Sequence, residues 1–237
     1  MTTVVRPPRT RRYALLVGCL LLVLAIGLVL AALVFGVFRY ADDKLHGSVP
    51  PPGDPRRFDP IASYVDVAHY AGAEAQLTGL RAMFVRRDGT LDLEADYRPA
   101  PYVDYRFRRE VAAPVDAPPL GAGGSPDGRW HEAIQVEVAR PWRMRSVRRT
   151  GGEHGGANVQ YFSRGMERRV DAPSGRAPDP ALLAPACSFR QLWDAAVARG
   201  ASPDAVAIIE YERDGYTFNI PDARFVLRFD PRCVPRR

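Results

Sequence analysis

The feature that most constrains this chain is an apolar run, Tyr13 to Phe38, that carries 26 residues without a charge. A helix rises 1.5 Å per residue, so a run of this length is long enough to cross a hydrocarbon core of roughly 30 Å. The run therefore predicts one transmembrane helix, with everything after it on one side of the bilayer. Arg6, Arg9, Arg11 and Arg12 precede it, whereas the far flank balances Arg39 and Lys44 against Asp42 and Asp43. The excess of positive charge places the N-terminus in the cytoplasm and the larger part outside. A cleaved signal peptide would have a shorter apolar region followed by a small-x-small site. Leu16-Val17-Gly18-Cys19 has the form of a lipidation motif, but only Tyr13, Ala14 and Leu15 separate it from the arginines, so Cys19 reads as a small residue inside the span.

Charge is informative only once it is located. The net charge is +6, yet all 27 acidic residues follow the span together with 29 of the 33 basic ones. The exposed part is nearly neutral, which argues for topology and against nucleic-acid binding as the source of the basicity. Lys44 is the only lysine, and the abundance of Arg, Ala, Pro and Gly reads as GC-rich, bacterial coding.

Six segments follow: a cytoplasmic basic tail at 1–12, the span at 13–38, a Pro-rich tether at 39–57, a first unit at 58–171, a Pro-rich linker at 172–186 and a second unit at 187–237. The tether, centred on Pro50-Pro51-Pro52-Gly53, reads as an extended spacer with little to bury. In the first unit Asp59-Pro60 starts a helix that Gly72 ends. Leu77–Arg86 is a strand, Asp88-Gly89 a hairpin turn, and Leu91, Leu93, Ala95 and Tyr97 alternate with Asp92, Glu94 and Asp96 as a second strand. Val103, Tyr105 and Phe107 mark a third, whose Arg106 and Arg108 are placed to pair with that carboxylate row.

The second unit repeats the order. Ser188 and Gln191 cap a helix carrying Phe189, Leu192, Ala196 and Val197, and Gly200 ends it. Ala205–Glu212, then Tyr216, Phe218 and Ile220, then Phe225, Leu227 and Phe229 form three strands, the first two joined at Asp214-Gly215. Between the units, Ala112–Gly128 is a long loop, Trp130–Ala139 a strand, and Trp142–Arg149 and Asn158–Val170 two or three more around Gly151–Gly156. The fold class is α+β: antiparallel sheet with helices, possibly as two αβββ units. Outside the span the remaining cysteines, Cys187 and Cys233, bracket the second unit and predict a disulfide in an oxidising compartment.

Chemistry is less legible. No metal, cofactor or nucleotide motif and no nucleophile elbow occurs. His46, His69, His131 and His154 are scattered, and only Glu132 beside His131 and Glu153 beside His154 offer acid–base neighbours. Catalytic, metal and cofactor residues are therefore assigned to none. The most unusual stretch lies between the units. There Arg140, Arg143, Arg145, Arg148, Arg149, Arg164, Arg168 and Arg169 are interleaved with Trp130, Trp142, Tyr161 and Phe162. Arginine with aromatics suits a protein interface and would equally suit anionic lipid headgroups.

The order of helix and antiparallel strands resembles PepSY-like and β-lactamase-inhibitor-like modules. That resemblance implies binding to other envelope proteins and carries over no residues. The resulting expectation is a non-enzymatic, membrane-anchored extracytoplasmic module with a protein partner in the envelope. The alternative is an envelope hydrolase or transferase built around His131, Glu132 and His154.

Overall fold

The computed structural model describes residues 17, 20–34, 36, 47–115, 128–149 and 157–236. They belong to two compact units, one within Met1–His46 and one spanning Gly47–Arg237.

In the first unit residues 20–34 form helix α1. Its large side chains are all exposed, from Ile26 at 51% to Leu28 at 72%. The other positions of the expected span lie largely outside the described residues, as do the basic tail at 1–12 and Cys19. Among the described residues no helix is long and apolar enough to cross a membrane.

The second unit is α+β, with one large antiparallel sheet. Helix α2 is Tyr64–Ala71 and helix α3 is Phe189–Val197. The strands are β1 (Gln76–Val85), β2 (Tyr102–Val111), β3 (Trp130–Ala139), β4 (Arg143–Arg149), β5 (Ala157–Ser163), β6 (Met166–Val170), β7 (Ala207–Glu212), β8 (Gly215–Ile220) and β9 (Phe225–Phe229). Seven of them form one sheet in the order β6-β3-β2-β1-β7-β8-β9. The neighbours β1 and β7 each follow a helix and each lead outward through the next two strands of the chain, β2 and β3 on one side and β8 and β9 on the other, with β6 added beyond β3. The helix-then-three-strands order therefore occurs twice within a single sheet.

Alternation puts one face of the sheet on the core. Leu80, Ala82, Val103, Tyr105, Phe107, Ile134, Val136, Ile209 and Phe218 are buried together with Val67 and Ala71 of α2 and Phe189, Leu192 and Trp193 of α3. Trp193 meets Phe218 edge-on at 4.9 Å between ring centroids, an arrangement favoured by the ring quadrupoles. The opposite face is polar, with Arg81–Glu210 at 3.2 Å and Arg106–Glu212 at 2.9 Å laid across it. A disulfide joins Cys187, just ahead of α3, to Cys233, just past β9, with 5.7 Å between their Cα atoms.

Three expectations need correction. Leu91 to Tyr97 is not a ladder strand. Leu91 and Leu93 are buried as the alternation predicts, but Leu91 bridges Phe58, and the Leu93 N–H donates to the Pro55 carbonyl. The Asp92 carboxylate accepts from the Glu94 N–H and so turns the chain. The carboxylates consequently pair elsewhere than predicted, Glu94 with Arg56 at 2.7 Å and Asp92 with Arg86 at 3.9 Å. Helix α2 starts at Tyr64 rather than Pro60, because Asp59 spends its carboxylate on the Ile61 and Ala62 N–H groups of a preceding turn. Finally, the end of the tether is not free of the domain. Ser48 is buried, Val49 bridges Met166 at the sheet edge, and Pro55–Arg57 form a short 3-10 turn capped by Asp54.

Candidate functional site

The arginine-rich stretch folds into one long β-hairpin with a kink. Its inner half is β3 paired with β6, from Ile134 opposite Val170 to Val138 opposite Met166. Its outer half is β4 paired with β5, from Arg143 opposite Ser163 to Arg149 opposite Ala157. Between the halves, Trp142 takes a left-handed backbone with φ 60° and Gly165 one with φ 119°. The Trp142 N–H still reaches the Ser163 carbonyl at 2.6 Å, so the ladder bends without breaking. The outer half forms a separate two-stranded ribbon. At the kink the Arg164 N–H donates to the Ser48 Oγ at 3.1 Å, where the chain arriving from the tether meets the ribbon.

One face of the ribbon is fastened down. Arg145 donates to Glu137 at 2.7 and 2.9 Å and to Glu167 at 2.8 Å, and the Tyr161 hydroxyl donates to the same Glu167 at 3.0 Å. Glu137 and Glu167 stand directly opposite each other on β3 and β6, so Arg145 screens two carboxylates that would otherwise repel. Burial opposes the guanidinium charge, but Glu137 and Glu167 outweigh it and raise the Arg145 pKa. Burial, reinforced by the Glu167 charge and its hydrogen bond, pushes the Tyr161 phenol up to about 12. On the other face Met144, directly opposite Phe162, is 57% exposed, Phe162 44% and Trp142 46%.

The predicted interface residues therefore divide. Arg140 and Arg143 are exposed and make no ion pair among the described residues, beside exposed Trp142. Arg145 and Tyr161 act as fasteners. Arg168 donates to the Ala71 carbonyl at 3.1 Å and sits at the C-terminus of α2, where a cation is favoured. Arg169 pairs with its neighbour Asp171 at 3.1 Å. Trp130 begins β3, half-buried, and Arg164 lies at the kink. Arg148 and Arg149 belong to β4, with side chains outside the described residues. Met144 is the addition that sequence reading missed; its alternation with Arg143 and Arg145 was visible, but which face would be covered was not.

The alternative site does not assemble as expected. Residues two apart share a strand face, so adjacent His131 and Glu132 point to opposite faces. Glu132 pairs with Arg109 at 2.6 Å on the core side, while His131 is buried on the other. His154 lies outside the described residues. What does gather round His131 is a cleft of about 420 Å³ lined by Glu74, Gln76, Arg108, Glu110 and Arg129, with strand register setting Gln76 opposite Arg108 and Glu110 opposite His131.

Compared with protein-family models, with curated proteins and with solved structures, the chain matches none. The resemblance in element order to envelope modules thus gains no support from comparison, and function has to be argued from the chain itself.

Proposed function

We propose that this protein is a single-pass, membrane-anchored accessory module. Its extracytoplasmic α+β domain presents the β4–β5 ribbon to a protein partner in the envelope, without catalysing a reaction itself. The observation that carries the reading is the division of the ribbon's two faces: one is fixed by the Arg145–Glu137–Glu167 cluster, and the other leaves Trp142, Met144 and Phe162 exposed beside Arg140 and Arg143. Aromatic side chains, Met and Arg carried on a strand pair, free of the ordering cost of a loose loop, are the composition enriched at protein interfaces. Apolar side chains in water cost free energy that a partner surface would recover.

The anchor rests on the apolar run and on α1, whose exposed leucines and valines have no cover among the described residues. The location outside the cytoplasm rests on the charge asymmetry and is supported by the disulfide, since such bonds persist in oxidising compartments. Anionic headgroups are a second occupant compatible with Arg140 and Arg143. The exposed apolar trio favours a protein.

The test is purification of the full chain from membranes through a C-terminal tag, wild type beside the triple variant Trp142→Ser, Met144→Ser, Phe162→Ser. A partner held by the wild type and released by the variant, with both at the same melting temperature, is the expected result. Recovery of the wild type alone at monomer size would move the reading to a substrate-binding or enzymatic one.

A further inference from the structure

The geometry points to a second site, independent of the ribbon: the cleft around His131 binds a small zwitterion of the amino-acid type. The open face of the sheet supplies its floor. Gln76 of β1 stands opposite Arg108 of β2, and Glu110 of β2 stands opposite His131 of β3. The connector after β6 supplies a wall, since Ser174 exchanges backbone hydrogen bonds with His131 at 2.8 and 2.9 Å and the Asp179 carbonyl accepts from Arg108.

Two of the charges that line the cleft cancel: Arg129 and Glu110 form an ion pair at 2.6 Å. Two do not. Arg108 gives its Nε to the Gln76 side-chain oxygen at 3.2 Å and its Nη1 to the Asp179 carbonyl at 3.0 Å, both neutral acceptors. It has no carboxylate partner among the described residues, and neither has Glu74 a cationic one. The remaining group is His131, only 9% exposed, with both ring nitrogens buried and unpartnered among the described residues. A buried polar atom without a partner is costly, and His131, which carries two of them, is one of the residues that line the cleft.

The three open valences define the ligand. A simple anion would satisfy Arg108 and leave Glu74, and a simple cation would do the reverse. A molecule carrying both a carboxylate and an ammonium satisfies both. The His131 imidazole, one of the lining side chains, then adds hydrogen-bonding capacity for its polar atoms. A cleft of about 420 Å³ admits such a molecule together with its side chain.

The test is NMR of the full chain in detergent with nitrogen-labelled histidine, the His131 signals being assigned through His131→Gln. The probes are glycine, L-alanine and L-lysine, with acetate and methylammonium as single-charge controls. The expected result is a saturable shift of the His131 ring nitrogens with at least one amino acid. Acetate and methylammonium should bind about tenfold or more weakly, and Glu74→Gln and Arg108→Gln should each weaken the amino acid about tenfold. Both substitutions leave the imidazole in place, so unchanged His131 signals in the free variants report an intact fold. No saturable shift with any of the three amino acids, acetate binding as well as they do, or affinity unmoved by the two substitutions would each overturn the assignment.

Discussion

Arg145 shows how much a single side chain does here. It stands between Glu137 and Glu167, and its removal would leave two half-buried carboxylates facing each other with no cation. Arg145→Met is expected to destabilise the domain by about 2 to 4 kcal/mol, read as a lowered unfolding midpoint in urea. Tyr161 adds a pH dependence. Its folded pKa, near 12, lies above the ordinary value of 10, so the folded state keeps a proton that the unfolded chain has lost. That contribution is fully present below about pH 10 and is lost as pH rises toward 12. Tyr161→Phe should flatten the alkaline limb of the stability profile. Gly215 is a third case: its φ is 110°, and an added Cβ would collide with the Phe229 carbonyl oxygen. Gly215→Ala is expected to cost about 2 kcal/mol or more, measurable as a fall in Tm. The Asp214-Gly215 turn was legible from its residue types. The collision that makes this glycine obligatory was not, since it depends on β9 closing over β8.

At the level of elements, local signals were readable and long-range ones were not. Trp130–Ala139 alternates cleanly and is β3 with those bounds. Helix α3 follows from Ser188, whose Oγ accepts from the Gln191 N–H at 3.2 Å. Leu91–Tyr97 alternates just as well, yet its backbone partners are Phe58 and Pro55, so burial pattern alone did not decide ladder membership. The kinked hairpin of β3 to β6 was visible only as separate strands, because the positive φ at Trp142 carries no signal in an aromatic residue. The His131 cleft was invisible for a related reason: register, not spacing, sets Gln76 of β1 opposite Arg108 of β2 and Glu110 of β2 opposite His131 of β3. The disulfide closes the second helix-and-strands element, with a sequence separation of 46. Cys187→Ser with Cys233→Ser should lower stability by about 2 to 4 kcal/mol, and reduction of the wild type should reproduce the shift in a thermal scan.

At the scale of the whole molecule, an apolar segment leads in the chain to a domain whose first residues, at Ser48 and Val49, dock beside the kink of the ribbon. Protease added to the outside of intact spheroplasts is expected to remove the domain, which would hold only for an N-in anchor; full protection would invert the topology. The claim that binds these parts together is that the exposed ribbon face meets a protein. Its most direct test places a photo-crosslinking amino acid at Phe162, and in a separate variant at the exposed sheet-edge residue Val226, in the full chain in intact membranes. One discrete protein adduct from position 162, absent from position 226 and lost when Trp142 and Met144 are replaced by Ser, is the predicted result. Equal labelling from both positions, or adducts with lipid alone, would contradict it.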